Sequence, residues 1–521
     1  MDDMRTIVLK LLVFPILLLM FCVGCSDFTD ITPKGQSILN KVEELELLLN
    51  DEYGQLQSWE PMYLMNDNIP AQNILDLITR HEEGMPSVES VLLTWDETVD
   101  RTSITQDPQQ YLYGAFYGVI GRIANPIIAN VDKATGSEAK AAQIKAEAYV
   151  LRAYFHYLAV NFYAKAYNPA TAAADGGVPY MFEDFPINEL ATKKTVQEVY
   201  DYILSDLDAA FALNALPDNP AKMRVGKAFA YAVKAKVLMA MHDYDGADLA
   251  AAASLELNDK LLDHRTDRLA IPMPPFDIPF FNRPKFNDEE LFYQMSSFTM
   301  RYIYSPDLLA SFDPNDILLK HGELENNVAT YLTGGVLMNQ GGNMTSVAGV
   351  QAWFHYVMAG DYKVHYSINS LTTVDMYLTR AECLLRGGNA NIPAAMAILE
   401  KLRERRIKPE AYVPMSVNTQ AEAIAALKRV ARNENFATSK NFLDMKRWNA
   451  TETEWQTTLT KTLTLAPQGF MPLGGNPMNG WMPIPPVITR SYTLRPDSPL
   501  WIFPFPQVAT NYNPNLTQNY E

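Results

Sequence analysis

Ile144-Lys-Ala-Glu-Ala-Tyr-Val-Leu-Arg-Ala-Tyr-Phe-His-Tyr-Leu-Ala-Val-Asn-Phe162 decides the fold class of this chain. Its apolar residues Ile144, Ala148, Leu151, Phe155, Leu158 and Phe162 recur at alternating steps of four and three, the stripe of a helix that buries one face. No break residue interrupts it. Working outward, Thr195-Val-Gln-Glu198 reads as a capping box and opens a helix carrying Val196, Val199, Ile203, Leu207 and Ala210. Upstream, the spacing predicts helices over 37–51, with Ser37 as N-cap, and over 109–131. Downstream, a last helix is expected over 420–448, ending in Asp444-Met-Lys-Arg-Trp448. Residues 52–110 have weak periodicity around Trp59, Asn66-Asp67-Asn68, Pro70 and Trp95, so loops over one short helix are expected there.

Two helix–turn–helix units answer each other, over 228–251 and 374–397, with turns at Asp243-Tyr-Asp-Gly246 and Gly387-Gly-Asn389. Ala235, Leu238 and Ala251 of the first correspond to Ala381, Leu384 and Ala397 of the second. Small residues at the crossing and a polar turn make the units similar to tetratricopeptide hairpins, without a tandem repeat. Between and after them, residues 258–373 and 450–521 hold Pro272, Pro274, Pro275, Pro483, Pro485 and Pro486, which exclude helix interiors. These stretches are expected to be long loops with short strands. The resulting class is mostly α: helical hairpins over about 109–257 and 374–448, with loop-rich insertions at 52–108, 258–373 and 450–521, in a single domain from residue 37 to 521.

The 521 residues are 48% hydrophobic and 20% charged, ordinary for a folded protein and long enough for a large core. Net charge is −17, which excludes a basic surface for nucleic acid. Residues 11–23 are an uncharged apolar run, too short to span a bilayer but long enough for the core of a signal peptide. Arg5 and Lys10 precede it, and Met4 would give a cleaner positive start than Met1. The run ends in Phe21-Cys-Val-Gly-Cys25-Ser26, which resembles a bacterial lipobox, with Cys22 where Leu is usual. Residues 1–24 are therefore expected to be a lipoprotein signal peptide, Cys25 the lipidated residue, and 25–36 a tether. A lipidated Cys25 leaves Cys383 without a partner, so no disulfide is expected and Cys383 reads as a small core residue.

Catalytic signatures are lacking: there is no H-E-x-x-H, G-x-S-x-G or G-x-x-x-x-G-K-[ST]. The histidines and cysteines offer no zinc spacing, and neither a metal nor a cofactor is expected. Sixty acidic residues always include close pairs, so a glycosidase couple stays open, though none singles itself out.

Six blocks in order, behind the lipobox, resemble the SusD/RagB family of Bacteroidetes outer-membrane nutrient-binding lipoproteins. They are Cys25-Ser-Asp-Phe-Thr-Asp-Ile-Thr-Pro-Lys34, Lys145-Ala-Glu-Ala-Tyr-Val-Leu-Arg-Ala-Tyr-Phe155 with Gly176-Gly-Val-Pro179, and Val199-Tyr-Asp-Tyr-Ile-Leu-Ser-Asp-Leu207. Tyr377-Leu-Thr-Arg-Ala-Glu382, Pro504-Phe-Pro506 and Asn511-Tyr-Asn-Pro-Asn-Leu-Thr-Gln-Asn519 complete the set. One block departs: Asn435-Phe-Ala-Thr-Ser-Lys-Asn-Phe-Leu-Asp444 lacks the family's Glu-Gly/Asn-His-Arg run. The resemblance implies a SusD-like helical fold, a lipid anchor on the outer face of the outer membrane, and a SusC-like TonB-dependent transporter as partner. It implies capture of a nutrient oligomer, often a glycan and sometimes a peptide, without catalysis.

Sugar rings bind on flat aromatic faces flanked by polar side chains. Tryptophans in irregular stretches are the candidates: Trp95 and Trp353 first, then Trp59 and Trp481, with Tyr356 beside Trp353. Trp353-Phe-His-Tyr356 follows a glycine-rich stretch, and four successive rings cannot all face one core from a strand. Trp95 and Trp353 would form one platform if their loops converge. Two readings of other classes remain beside this one: a surface-anchored glycan-degrading enzyme, and a helical scaffold that binds only protein partners.

Overall fold

The computed structural model describes residues 39–520 apart from 52, 54–63, 71–73, 105–111, 187, 267–268, 274–277, 283–286, 294–295, 299–301, 318–363, 367–369, 437, 466–469, 473–480 and 484–487. Its helices in chain order begin with α1 (Val42–Leu47), α2 (Ile74–Glu82), α3 (Val88–Thr94), α4 (Arg101–Ile104), α5 (Leu112–Val119), α6 (Asn125–Asn130), α7 (Glu138–Tyr163) and α8 (Val196–Ala212). They continue with α9 (Lys227–Ala240), α10 (Tyr244–Leu257), α11 (Pro306–Ser311), α12 (Thr373–Arg386), α13 (Ile392–Arg403), α14 (Gln420–Glu434), α15 (Lys440–Asn449) and α16 (Gln507–Tyr512).

Helix α7 is the axis of the molecule. Ser137 caps it by accepting from the Lys140 amide, and its 26 residues span about 39 Å at 1.5 Å each. All six residues of the 4-3 stripe are buried, as the spacing predicts, but burial goes further: every residue from Val150 to Tyr163 is buried. Polar members of the opposite face are satisfied by distant chain. The Arg152 guanidinium donates to both Asp206 oxygens at 2.7 Å and to Glu183 at 2.5 Å. His156 bonds the Arg152 carbonyl through Nδ1 at 2.8 Å and accepts from the Met181 amide through Nε2 at 3.0 Å.

Helix α8 packs against α7, and Thr195 and Glu198 form the expected capping box at its start. The connection from α7 to α8 closes tightly on itself. A Cβ on Gly177 would lie 2.9 Å from the Lys194 carbonyl, so only glycine fits where the chain returns to the start of α8. Helices α9 and α10 form one hairpin and α12 and α13 the other, and α10 packs against α12. Ala235, Ala251 and Ala381 are fully covered at these crossings, which is what the small residues provide. The first turn is shorter than the sequence suggests: Asp243 is already the N-cap, accepting from the Gly246 amide at 3.0 Å, and residues 244–246 are helical.

Three expectations need correction. The first helix starts at Val42 rather than residue 37, because Lys41 is extended and bridged to Thr135, and residues before 39 lie outside the described ones. Residues 52–110 carry α2, α3 and α4 rather than one short helix, with Ser87 and Ser90 forming a capping box at α3. The expected helix over 420–448 ends at Glu434 and resumes at Lys440, with Thr438 donating to the Asn435 carbonyl and accepting from the Lys440 amide between them. The helix expected over 109–131 is present as α5, a π turn at Ile120–Ala124, and α6. The register change falls just before Pro126, which has no N–H to continue the α pattern.

The loop-rich stretches hold short antiparallel pairs. Those described are β1 (Asn68–Pro70) with β5 (Tyr302–Tyr304), β2 (Leu269–Met273) with β3 (Ile278–Asn282), and β4 (Ser296–Phe298) with β6 (Val364–Tyr366). Nearer the C-terminus β7 (Leu459–Leu465) pairs with β10 (Ile488–Leu494) and β8 (Phe470–Pro472) with β9 (Trp481–Pro483). The last residues return to the axis, where the Asn519 amide donates to the carbonyls of Tyr163 and Gly177.

Candidate functional site

Of the aromatic residues singled out by sequence, only Trp95 has a described side chain. Trp95 is a correction. It ends α3 in the left-handed conformation (φ 52°), is 5% exposed, and donates through Nε1 to the Leu64 carbonyl at 3.0 Å. The Lys461 ammonium lies 3.9 Å above its ring, and burial pushes that lysine well below its usual range. A ring so deeply buried cannot receive a sugar, so Trp95 is a core pillar. Trp481 lies in β9 opposite Pro472. Trp59, Trp353, Tyr356 and Cys25 lie outside the described residues. Cys383 is a free, half-buried thiol whose pKa is pushed up to about 12 by burial, consistent with a packing role.

Helix α15 lies at the end of the helix expected over 420–448, but nothing in its polar sequence announces its burial. All ten of its residues are buried, although most are polar. Lys440 donates to Asp375 and Lys236 to Asp444, each at 2.7 Å. Arg447 spans both Glu382 oxygens at 2.6 and 2.7 Å, while Trp448 Nε1 and Arg386 complete that carboxylate's shell. Burial alone would raise the Glu382 pKa; Arg447, Arg386 and Trp448 outweigh it and hold it at about 2. Asn441, in the block that departs from the family pattern, donates to Asp67 and to the Arg432 carbonyl. This network clamps both hairpins to the C-terminal half.

One constellation has catalytic residue types. His81 places Nδ1 2.9 Å from Ser90 Oγ and Nε2 3.0 Å from Asp96. Ser90 is fully buried, and its hydroxyl accepts from the Ser87 amide and donates to the Ser87 carbonyl as part of the α3 capping box. A hydroxyl so enclosed caps a helix and has no path to a substrate. Among the described residues no group of three or more His, Cys, Asp or Glu side chains is arranged to hold a metal ion.

An open cleft of about 240 Å³ lies where the loop after α7 meets the end of α15 and residues 496–502. Lys165, paired with Asp175 at 2.9 Å, and Asp497 stand at its rim. Lys446, Asn449, Ser498, Trp501 and Ile502 form its buried floor. Lys446 donates to the carbonyls of Asn161 and Ala164, both at 2.6 Å, at the C-terminal end of α7, and burial brings its ammonium down to about 7. The floor residues come from segments more than 40 positions apart, which no local sequence pattern reports.

Two family models match this chain in order. Residues 40–239 match a SusD-like family described as "Starch-binding associating with outer membrane", and residues 319–521 match the SusD family. The chain belongs to the SusD/RagB family. Solved structures agree with this SusD-like chain in fold. A putative sugar binding protein from Bacteroides vulgatus ATCC 8482 is 16% identical, covers 93% of this chain and 99% of its own, and has a TM-score of 0.59. A SusD superfamily protein from Bacteroides thetaiotaomicron VPI-5482 is 16% identical over 92% and 99%, with a TM-score of 0.57. A SusD-like carbohydrate binding protein from Bacteroides vulgatus is 13% identical over 92% and 98%, with a TM-score of 0.56. At such identities the likeness shows the fold. No curated protein matches the chain at a significant level.

Proposed function

We propose that this SusD-like chain is a non-catalytic cell-surface lipoprotein that captures a nutrient oligomer, a glycan first among candidates, and delivers it to a SusC-like TonB-dependent transporter. The observation that carries the reading is the ordered match of two SusD models to both ends of the chain, on a fold shared over more than 90% of its length with SusD superfamily proteins. The family's description as starch-binding and associating with the outer membrane supports the ligand class and the location. Lipidation at Cys25, after removal of residues 1–24, is the anchor in this reading. Trp353, Tyr356, Trp59 and Trp481 are the proposed sugar-stacking residues, each in a loop-rich insertion. Capture by such residues asks for apolar ring faces and hydrogen bonding, and for no reacting group.

The test is affinity purification of the tagged protein from native outer membranes, with a reducing-end assay on glycans incubated with it. Co-purification of a TonB-dependent barrel, without new reducing ends, is expected. New reducing ends above a heat-inactivated control would make the chain an enzyme and overturn the reading.

A further inference from the structure

The β7–β10 hairpin carries a lysine where its packing asks for an apolar residue. Its two strands pair with each other over seven residues and with no other described strand. A lone β-hairpin is marginal in water, so packing of its inner face on the body has to hold it. Alternation puts Leu459, Lys461 and Leu463 of β7 on that face, opposite Leu494, Tyr492 and Arg490 of β10. Leu463 and Leu494 are buried, and Leu459 and Tyr492 pack partly buried against the core. Lys461, at the centre of the face, is 5% exposed.

Among the described residues no carboxylate pairs with Lys461. Its Nζ donates to the Leu92 carbonyl in the last turn of α3 at 3.2 Å and lies 3.9 Å above the Trp95 ring. The charges on the surrounding elements are matched elsewhere. Asp96, beside Trp95, pairs with His81 at 3.0 Å, and Glu97 pairs with Arg495 at 2.9 Å. Glu82 of α2 pairs with Arg490 at 2.9 Å, Glu89 stands in the first turn of α3, and Tyr492 is opposite Lys461 in register. A neutral amine suits this seat better than an ammonium, and burial alone pushes Lys461 well below the ordinary lysine range. In water the same side chain keeps its proton. We propose that the β7–β10 hairpin is a proton-linked latch, seated on the end of α3 with Lys461 neutral and lifting from the body when Lys461 takes up a proton. The lifted state binds more protons between the seated and the ordinary lysine pKa. Seating therefore weakens as pH falls through that window, by up to about tenfold per pH unit. The strands β8 and β9 lie between β7 and β10 in the chain, so their placement follows the latch. The latch stands on the packing of the hairpin and not on oligomer capture, so either reading can fail alone.

The experiment is native-state hydrogen exchange of the purified protein at about pH 7 and pH 9, with amide rates corrected for the intrinsic effect of pH. Opening of β7 and β10 should be at least about tenfold more frequent at the lower pH, while α7 stays protected at both. Lys461→Met keeps the length of the side chain and removes the proton. It should lower opening at the lower pH at least about tenfold and abolish the difference between the two. Lys461→Arg holds its charge at both values, so it should raise opening and also abolish the difference. Melting curves show whether each variant folds, and if Lys461→Arg does not, the parent and Lys461→Met carry the test. Opening of the hairpin only together with α7 overturns the proposal, as does opening of the parent that is equal at both pH values. A pH difference that survives in Lys461→Met also overturns it, since another group then binds the proton.

Discussion

Replacing Glu382 by glutamine tests whether the buried ion-pair network holds α15 against the second hairpin. Glu382 is 3% exposed and accepts from Arg447 at 2.6 and 2.7 Å, from Trp448 at 2.9 Å and from Arg386 at 3.1 Å. Its pKa of about 2 lies below an ordinary 4.5 because these donors outweigh burial. At 1.36 kcal/mol per pH decade, that difference is worth roughly 3 kcal/mol at neutral pH. The unfolded carboxylate takes up its proton first as pH falls. The contribution is therefore complete above about pH 4.5 and fades as pH drops toward 2. Glu382→Gln keeps the shape but leaves Arg447 with Asp444, at 3.2 Å, as its one described carboxylate. Breaking a buried pair from one side costs about 3–5 kcal/mol. Denaturant unfolding of both proteins at pH 7 and pH 3 reads this out. The variant should lose about 3–5 kcal/mol at pH 7, and the gap should narrow by roughly 2 kcal/mol at pH 3. A gap under about 1 kcal/mol at pH 7, or one that is equal at both pH values, would refute the reasoning.

Other expectations concern single side chains. His156 is held neutral by burial, with a pKa of about 3, so its ring should show no titration by NMR down to about pH 4; a midpoint near 6.5 would place it in solvent. Because its folded pKa lies below the unfolded one, it adds to the stability lost as pH falls from about 6.5 toward 3. Trp95→Ala should cost about 3–5 kcal/mol of stability, and a variant with an unchanged melting temperature would contradict its place in the core. Trp353→Ala should instead weaken oligomer binding by about 1–3 kcal/mol with little change in melting temperature, and unchanged affinity would remove it from the ligand face. Cys25→Ser should release the protein from membranes or leave its signal uncleaved. Normal processing and retention without the transporter would end the lipid-anchor reading.

What could be read from sequence was local or periodic. The α7 stripe, the Thr195–Glu198 box and the paired hairpins all depend on residues a few positions apart, so their spacing reports them directly. The rest depends on partners far along the chain. Arg152, His156 and Glu147 mark the other face of α7 as polar, yet they are buried because Asp206, Met181 and Arg224 meet them there. Trp95 sits in a stretch of weak periodicity, which reads as a loop, while its burial comes from Leu64 and Lys461. The break between α14 and α15 carries no glycine or proline to announce it, and it is the hydrogen bonds of Thr438 and Asn441 that mark it. The cleft at Asn449 belongs to the same class, being assembled from three remote segments.

Capture of a glycan is the central claim, and calorimetric titration of the purified protein against a panel of oligosaccharides tests it most directly. The account predicts saturable binding of at least one oligosaccharide, stronger for the oligomer than for its monomer, with the ligand recovered intact. Absence of saturable binding across the panel, or recovery of shortened products, would contradict it.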